Sequence, residues 1–124
     1  MKLSVILNST KSVQNLLTQN LPIEMAWKIK TFVNKINPEI KSYEEIRTEK
    51  IKILGEEIDK GQFKVKNENI PVFLEEINEL QEKEIEVIPP VIKMEELLEY
   101  SKKSNIPITI SANDLLVLDW LIIE

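Results

Sequence analysis

The 124-residue sequence predicts an α+β, mainly α fold: a long antiparallel helical hairpin with a small sheet formed by short N- and C-terminal strands. A helical apolar stripe runs from Pro22 to about Glu57. Both glycines of the chain, Gly55 and Gly61, fall at the end of that stripe, where a chain reversal is expected. Several short segments elsewhere alternate apolar and polar residues, the pattern of half-buried strands. Residues 1–124 are read as a single domain, since a chain of this length supports one hydrophobic core. With 43% apolar and 30% charged residues, it has the composition of a globular chain and not of a disordered one.

Taken in order, Leu3, Val5 and Leu7 alternate and predict a short strand over Lys2–Leu7. Ser9 or Thr10 then caps a small helix carrying Val13, Leu16 and Leu17. The long helix opens at Pro22 and bears its stripe on Ala26, Ile29, Val33, Ile36, Ile40, Tyr43, Arg47 and Leu54, with a position near Lys50 that is not apolar. Pro38 lies inside this pattern, where it removes a backbone donor, so a kink or break is expected around Asn37-Pro38.

Asp59-Lys60-Gly61 marks a turn, and Phe63 to Lys66 makes a small strand or extended arm. Asn67 or Asn69 caps a second long helix, with Pro71 in its first turn, that folds back on the first through Phe73, Ile77 and Leu80. Ile85 and Val87 alternate with glutamates and predict an edge strand stopped by Pro89-Pro90. Lys93–Lys103 follows as a short helix with Met94, Leu97, Leu98 and Tyr100 inward. Ile106, Ile108 and Ile110 predict another strand, and Ser111 with Asp114 a capping box for a final helix.

Histidine and cysteine are both absent. Disulfides, thiolate nucleophiles, Ser-His-Asp triads and zinc sites of the Cys/His kind are thereby excluded. Carboxylates are plentiful, but a di-metal helical bundle needs Glu-x-x-His pairs, and two glycines cannot build a glycine-rich phosphate loop. The expectation is a non-enzymatic protein with no cofactor and no metal. The N-terminal segment is too short in apolar residues for a signal-peptide core, and no run of about 18 apolar residues marks a membrane span. A net charge of −5 conceals a basic first third, with six lysines against two glutamates over residues 1–41, and an acidic remainder. Such a dipolar chain disfavours general nucleic-acid binding and suits head-to-tail or head-to-partner association.

Three features are candidates for function. The run Leu115 to Ile123 is apolar almost all the way round: it either plugs the domain's own core or presents Leu116, Trp120 and Ile123 to a second chain. Arg47 is the only arginine and falls in the apolar stripe; it pairs with Glu76 or Glu79 of the facing helix, or reaches a phosphate or carboxylate group. Trp27 and Phe32, beside Lys28, Lys30 and Lys35, form a basic and aromatic cluster suited to stacking a nucleotide, although aromatics on an amphipathic helix are usually core.

Leu21-Pro22-Ile23-Glu24-Met25-Ala26-Trp27-Lys28-Ile29, Tyr43-Glu44-Glu45-Ile46-Arg47, the helix from Asn69 to Leu80, Glu84 to Val87 and Ile110 to Leu115 follow one another in a characteristic order. In this the chain resembles a group of small proteins encoded by tailed bacteriophages and prophages of low-GC bacteria. The segment Ser101 to Asn105 departs from the shorter versions of that pattern. The resemblance implies a phage-type accessory protein, in the host bacterial cytoplasm or associated with the virion, and carries no catalytic residue to this chain. Two functions are expected from these readings. One is assembly through the apolar tail and the helical hairpin, as a homo-oligomer or with a protein partner. The other is an anti-defence role, sequestering a nucleotide-like signal between protomers with Arg47 or the N-terminal lysines.

Overall fold

The computed structural model describes all residues, Met1–Glu124. It is α+β and mainly α: α1 (Leu3–Leu17), α2 (Ile23–Leu54), β1 (Gly55–Asp59), β2 (Gln62–Val65), a 3-10 turn (Asn67–Asn69), α3 (Ile70–Gln81), β3 (Ile92–Lys93), α4 (Met94–Ser104), α5 (Ala112–Val117) and β4 (Ile122–Ile123). α2 is the spine. Tyr43 accepts from Gln81, Lys50 pairs with Glu76, and Leu54 accepts from Asn69, so α3 runs antiparallel to the second half of α2, as the hairpin reading required. On the first half, Leu16 of α1 shares a core with Met25 and Ile29, while Leu3 and Ile6 share another with Phe32 and Ile36. α1 therefore also lies antiparallel to α2.

The N-terminus is the first correction. Leu3–Leu7 is helix, not strand, and Ser9 and Thr10 sit inside α1, where their hydroxyls donate to the carbonyls of Val5 and Ile6. The buried face is Leu3, Ile6, Ser9, Ser12, Val13 and Leu16, a helical period in which two serines replace apolar residues. Only an isolated antiparallel bridge, Lys2 with Glu84, is left of the expected N-terminal strand. Its backbone bonds run from Leu3 N to Lys83 O at 2.9 Å and from Ile85 N to Met1 O at 2.7 Å. The predicted edge strand thus shrinks to one bridge. Ile106 to Ile110 belongs to no strand, and Thr109 N donates to Gln19 Oε1 at 3.1 Å. A two-residue strand, β4, instead pairs parallel with β3 at Ile122–Ile123, where the final helix was expected.

α2 runs through Pro38 without the expected break. Pro38 is exposed, and packing of Ile36 and Tyr43 on either side holds the helix despite the missing donor. The buried stripe of α2 is Met25, Ile29, Phe32, Ile36 and Tyr43. Ala26 and Arg47, both assigned to the seam from sequence, are exposed. One heptad after Tyr43 comes Lys50, whose ammonium lies 3.3 Å from Glu76 Oε2. That oxygen is sealed from solvent and accepts no hydrogen bond, so Lys50 takes the pairing expected of Arg47.

β1 and β2 form the chain reversal as an antiparallel hairpin with Gly55 opposite Val65 and an irregularity between Glu57 and Asp59. Gly61 at its turn has φ +78°, a left-handed conformation that favours glycine. Gly55 is required for a different reason: a methyl group there would collide with the backbone carbonyl oxygens of Lys64 and Ile51. Gly55→Ala is expected to cost about 2 kcal/mol, as overpacking does, with hydrogen exchange of the β1–β2 amides rising most.

α5 starts as expected, with Ser111 Oγ accepting from Asp114 N at 3.0 Å. The Asp114 carboxylate serves elsewhere: it is buried and accepts from Ser12 Oγ at 2.7 Å and Asn15 Nδ2 at 3.2 Å, fastening the tail to α1. The Ser12 bond, then the Asn15 bond, hold its pKa below the ordinary 3.8. A depressed folded-state pKa means the unfolded chain takes up the proton first as pH falls. This contribution is therefore present at neutral pH and lost as pH drops below about 4. Urea midpoints measured from about pH 7 to pH 2 should fall less steeply in Asp114→Asn than in the parent.

Candidate functional site

The buried residues divide between two clusters along α2. One gathers Val13, Leu16, Met25 and Ile29 with Ile92, Leu97, Leu118, Leu121 and Ile122; the other gathers Leu3, Ile6, Phe32, Ile36 and Tyr43 with Ile77 and Ile85. Trp120 packs against both. Its ring lies 5.5 Å from that of Phe32, and its Nε1–H donates to Ser9 Oγ at 3.0 Å. The expected interface anchor is thus an internal bridge between cores. Leu118, Leu121 and Ile122 are buried beside it. Of the predicted tail interface, only Leu116 (75% exposed) and Ile123 face outward. The run is not one helix: α5 ends at Val117 and a turn carries the chain into β4. Ending the helix at Val117 and turning into β4 lets a stretch that is apolar almost all round bury Leu118, Leu121 and Ile122 within one protomer.

Apart from scattered side chains such as Leu17 and Leu98, uncovered apolar surface gathers in two other places. On α2, Ile23 (90% exposed) and Trp27 (66% exposed) sit one helical turn apart. Trp27 lines a groove of about 410 Å³ with Lys28, Lys35 and the extended Ile88-Pro89-Pro90-Val91, in which Ile88 is 91% exposed. Two successive prolines deny this segment a ladder or a helix, so its flanking apolar side chains cannot be drawn into regular packing. The rim is basic. Lys30 Nζ lies 5.5 Å from the Trp27 ring centroid, and Lys28 pairs with Glu24 at 3.8 Å. Of the two aromatics in the predicted cluster, Phe32 is core and Trp27 is surface.

The second place is the arm formed by the end of α2, the β1–β2 hairpin and the start of α3. No residue from Glu44 to Glu76 is buried. Two helices and a two-stranded hairpin have too few layers to enclose a core. Ile46, Ile53, Ile58, Ile70, Val72 and Leu74 all remain exposed. The arm carries nine acidic against six basic side chains over residues 44–76. Arg47 projects here without an ion pair or hydrogen bond, about 28 Å along α2 from Lys28 by helical rise, so the two predicted anion-binding residues do not converge.

The sequence reading missed Ile23, Ile88, Val91 and the arm's isoleucines as surface. Pro89-Pro90 between apolar residues was the available signal for the groove. For the arm it was the lack of any apolar partner segment long enough to cover the distal third of α2. No group of three or more Asp or Glu side chains gathers at metal-site spacing, and no helix is long and apolar enough to cross a membrane. No protein family, curated protein or solved structure matches this chain.

Proposed function

We propose that this chain is a non-enzymatic, phage-type accessory protein that works by assembling head to tail with copies of itself, the acidic arm of one copy seated on the basic Trp27 face of the next. The observation that carries the reading is the pair of uncovered apolar surfaces at opposite ends of α2, with opposite charge at their rims. Three lysines stand against one glutamate around Trp27, whereas acidic side chains are in excess on the arm. Large exposed apolar patches rimmed by charge are the usual mark of protein contact, and a tryptophan at the centre is the common anchor. Opposite rims steer the two faces together and set their register. The phage placement rests on the ordered motifs from Leu21 to Leu115. The tail does not anchor this interface, because Leu118, Leu121 and Ile122 are buried and Trp120 packs against both cores of the protomer.

A heterologous contact of this kind can be taken apart and rebuilt. The wild type should elute above 14.4 kDa by light scattering across the micromolar range. Trp27→Asp and Ile53→Asp should each abolish growth beyond the monomer. Mixed in equal amounts, the two variants should form a heterodimer, since each retains the face the other lacks. A wild type that stays at 14.4 kDa throughout removes the proposal. A Trp27→Asp protein that still dimerises through its arm removes the head-to-tail geometry.

A further inference from the structure

We propose that the cleft between α1 and α2, floored by Trp120, is a binding site for a small uncharged molecule built on one aromatic or branched aliphatic unit with a single hydroxyl or carbonyl group. The cleft has a volume of about 230 Å³. Its inner wall is Ile6, Val13, Ile36 and the Trp120 ring, and Gln14 and Asn37 stand at its exposed edge. The cleft opens to solvent at the exposed Gln14, Leu17 and Asn37. Its floor is the indole, held from one side by its bond to Ser9 and from the other by the Phe32 ring.

The chemistry of the lining selects the ligand. No residue of the cleft carries a charge, so an ion entering it would lose hydration worth several kcal/mol without finding a partner. A nucleotide is excluded on that ground and on size. An apolar cavity of about 150 Å³ is known to accept benzene, which makes one substituted ring a fitting occupant for this one. Ser9 is already engaged as donor to Val5 O and acceptor from Trp120. The Gln14 and Asn37 amides take no part in the fold's hydrogen bonds and can each offer a donor and an acceptor to the ligand's polar group. The site is separate from the surfaces proposed for assembly.

Benzyl alcohol is the probe, with benzoate as the charged control, read by methyl carbon–proton NMR on the full chain. Benzyl alcohol should shift the Ile6, Val13 and Ile36 methyls saturably while leaving Leu98 and Leu116 unmoved, and benzoate should shift none of them. Val13→Phe fills the cleft and should abolish the response. If that variant does not fold, Leu17→Trp, which covers the cleft from a half-exposed position at its edge, should do the same. The proposal is overturned by an absence of saturable shifts up to the solubility of the alcohol. It is equally overturned by benzoate matching it, or by shifts that persist undiminished in whichever variant folds.

Discussion

Replacing Trp120 by alanine should lower stability by about 3 kcal/mol, near the lower end for a large aromatic in a core because the ring is only partly buried. For a chain of this length that corresponds to a fall in Tm of about 10 °C. Trp120 packs against both hydrophobic clusters, and its loss removes side-chain packing between the C-terminal segment and the Leu3–Ile6–Phe32 group. It also removes the donor to Ser9, although Ser9 keeps its own bond to Val5 O. Trp120→Phe separates the two effects: the aromatic contact with Phe32 is retained and the Nε1–H is lost, for an expected cost of about 1 kcal/mol. Paired urea titrations of the three proteins measure this. A Trp120→Ala protein within about 0.5 kcal/mol of wild type would mean that the indole belongs to an outer surface after all.

Leu118→Ala should cost about 3 to 4 kcal/mol, whereas Leu116→Ala, two residues away in the same apolar run, should change stability by less than about 0.5 kcal/mol. Leu118 is completely enclosed and Leu116 is 75% exposed. The first substitution leaves a cavity among Leu97, Leu121 and Ile92, which cannot collapse freely because β3 and β4 pin that region through the Ile92–Ile122 and Lys93–Ile123 pairs. The contrast decides whether the tail is core or interface. Equal small effects, with a loss of self-association in Leu116→Ala, would restore the interface reading of the sequence.

Much of the architecture was legible because long periodic segments have few alternatives. The apolar period of α2, the glycine-marked reversal, Pro71 in the first turn of α3 and the Ser111 cap each follow from local chemistry that tertiary structure did not override. The phase of the α2 stripe was harder to fix. Ile29, Ile36 and Tyr43 belong equally to a stripe with Ala26, Val33 and Arg47 and to one with Met25 and Phe32, and only the positions of α1 and α3 select the second.

α1 was misread because Ser9 and Ser12 interrupt its helical period, leaving the alternation of Leu3, Val5 and Leu7 as the clearer local pattern. The partners that make those serines acceptable are Trp120 and Asp114, which lie 111 and 102 residues away in the chain. No local window contains them. The alternation at Ile106 to Ile110 failed for the complementary reason: it has strand chemistry but no neighbouring strand to pair with. Among the candidate residues, Trp27 and Lys28 lie on the surface although aromatics on such helices are usually core, while Arg47 is solvated and Trp120 packs internally.

α2 passes unbroken from the Trp27 face to the arm, so helical rise alone puts Trp27 and Ile53 about 39 Å apart along its axis. A single rod thereby acts as a ruler. In a head-to-tail array its residue count would fix the repeat distance at which one copy follows the next.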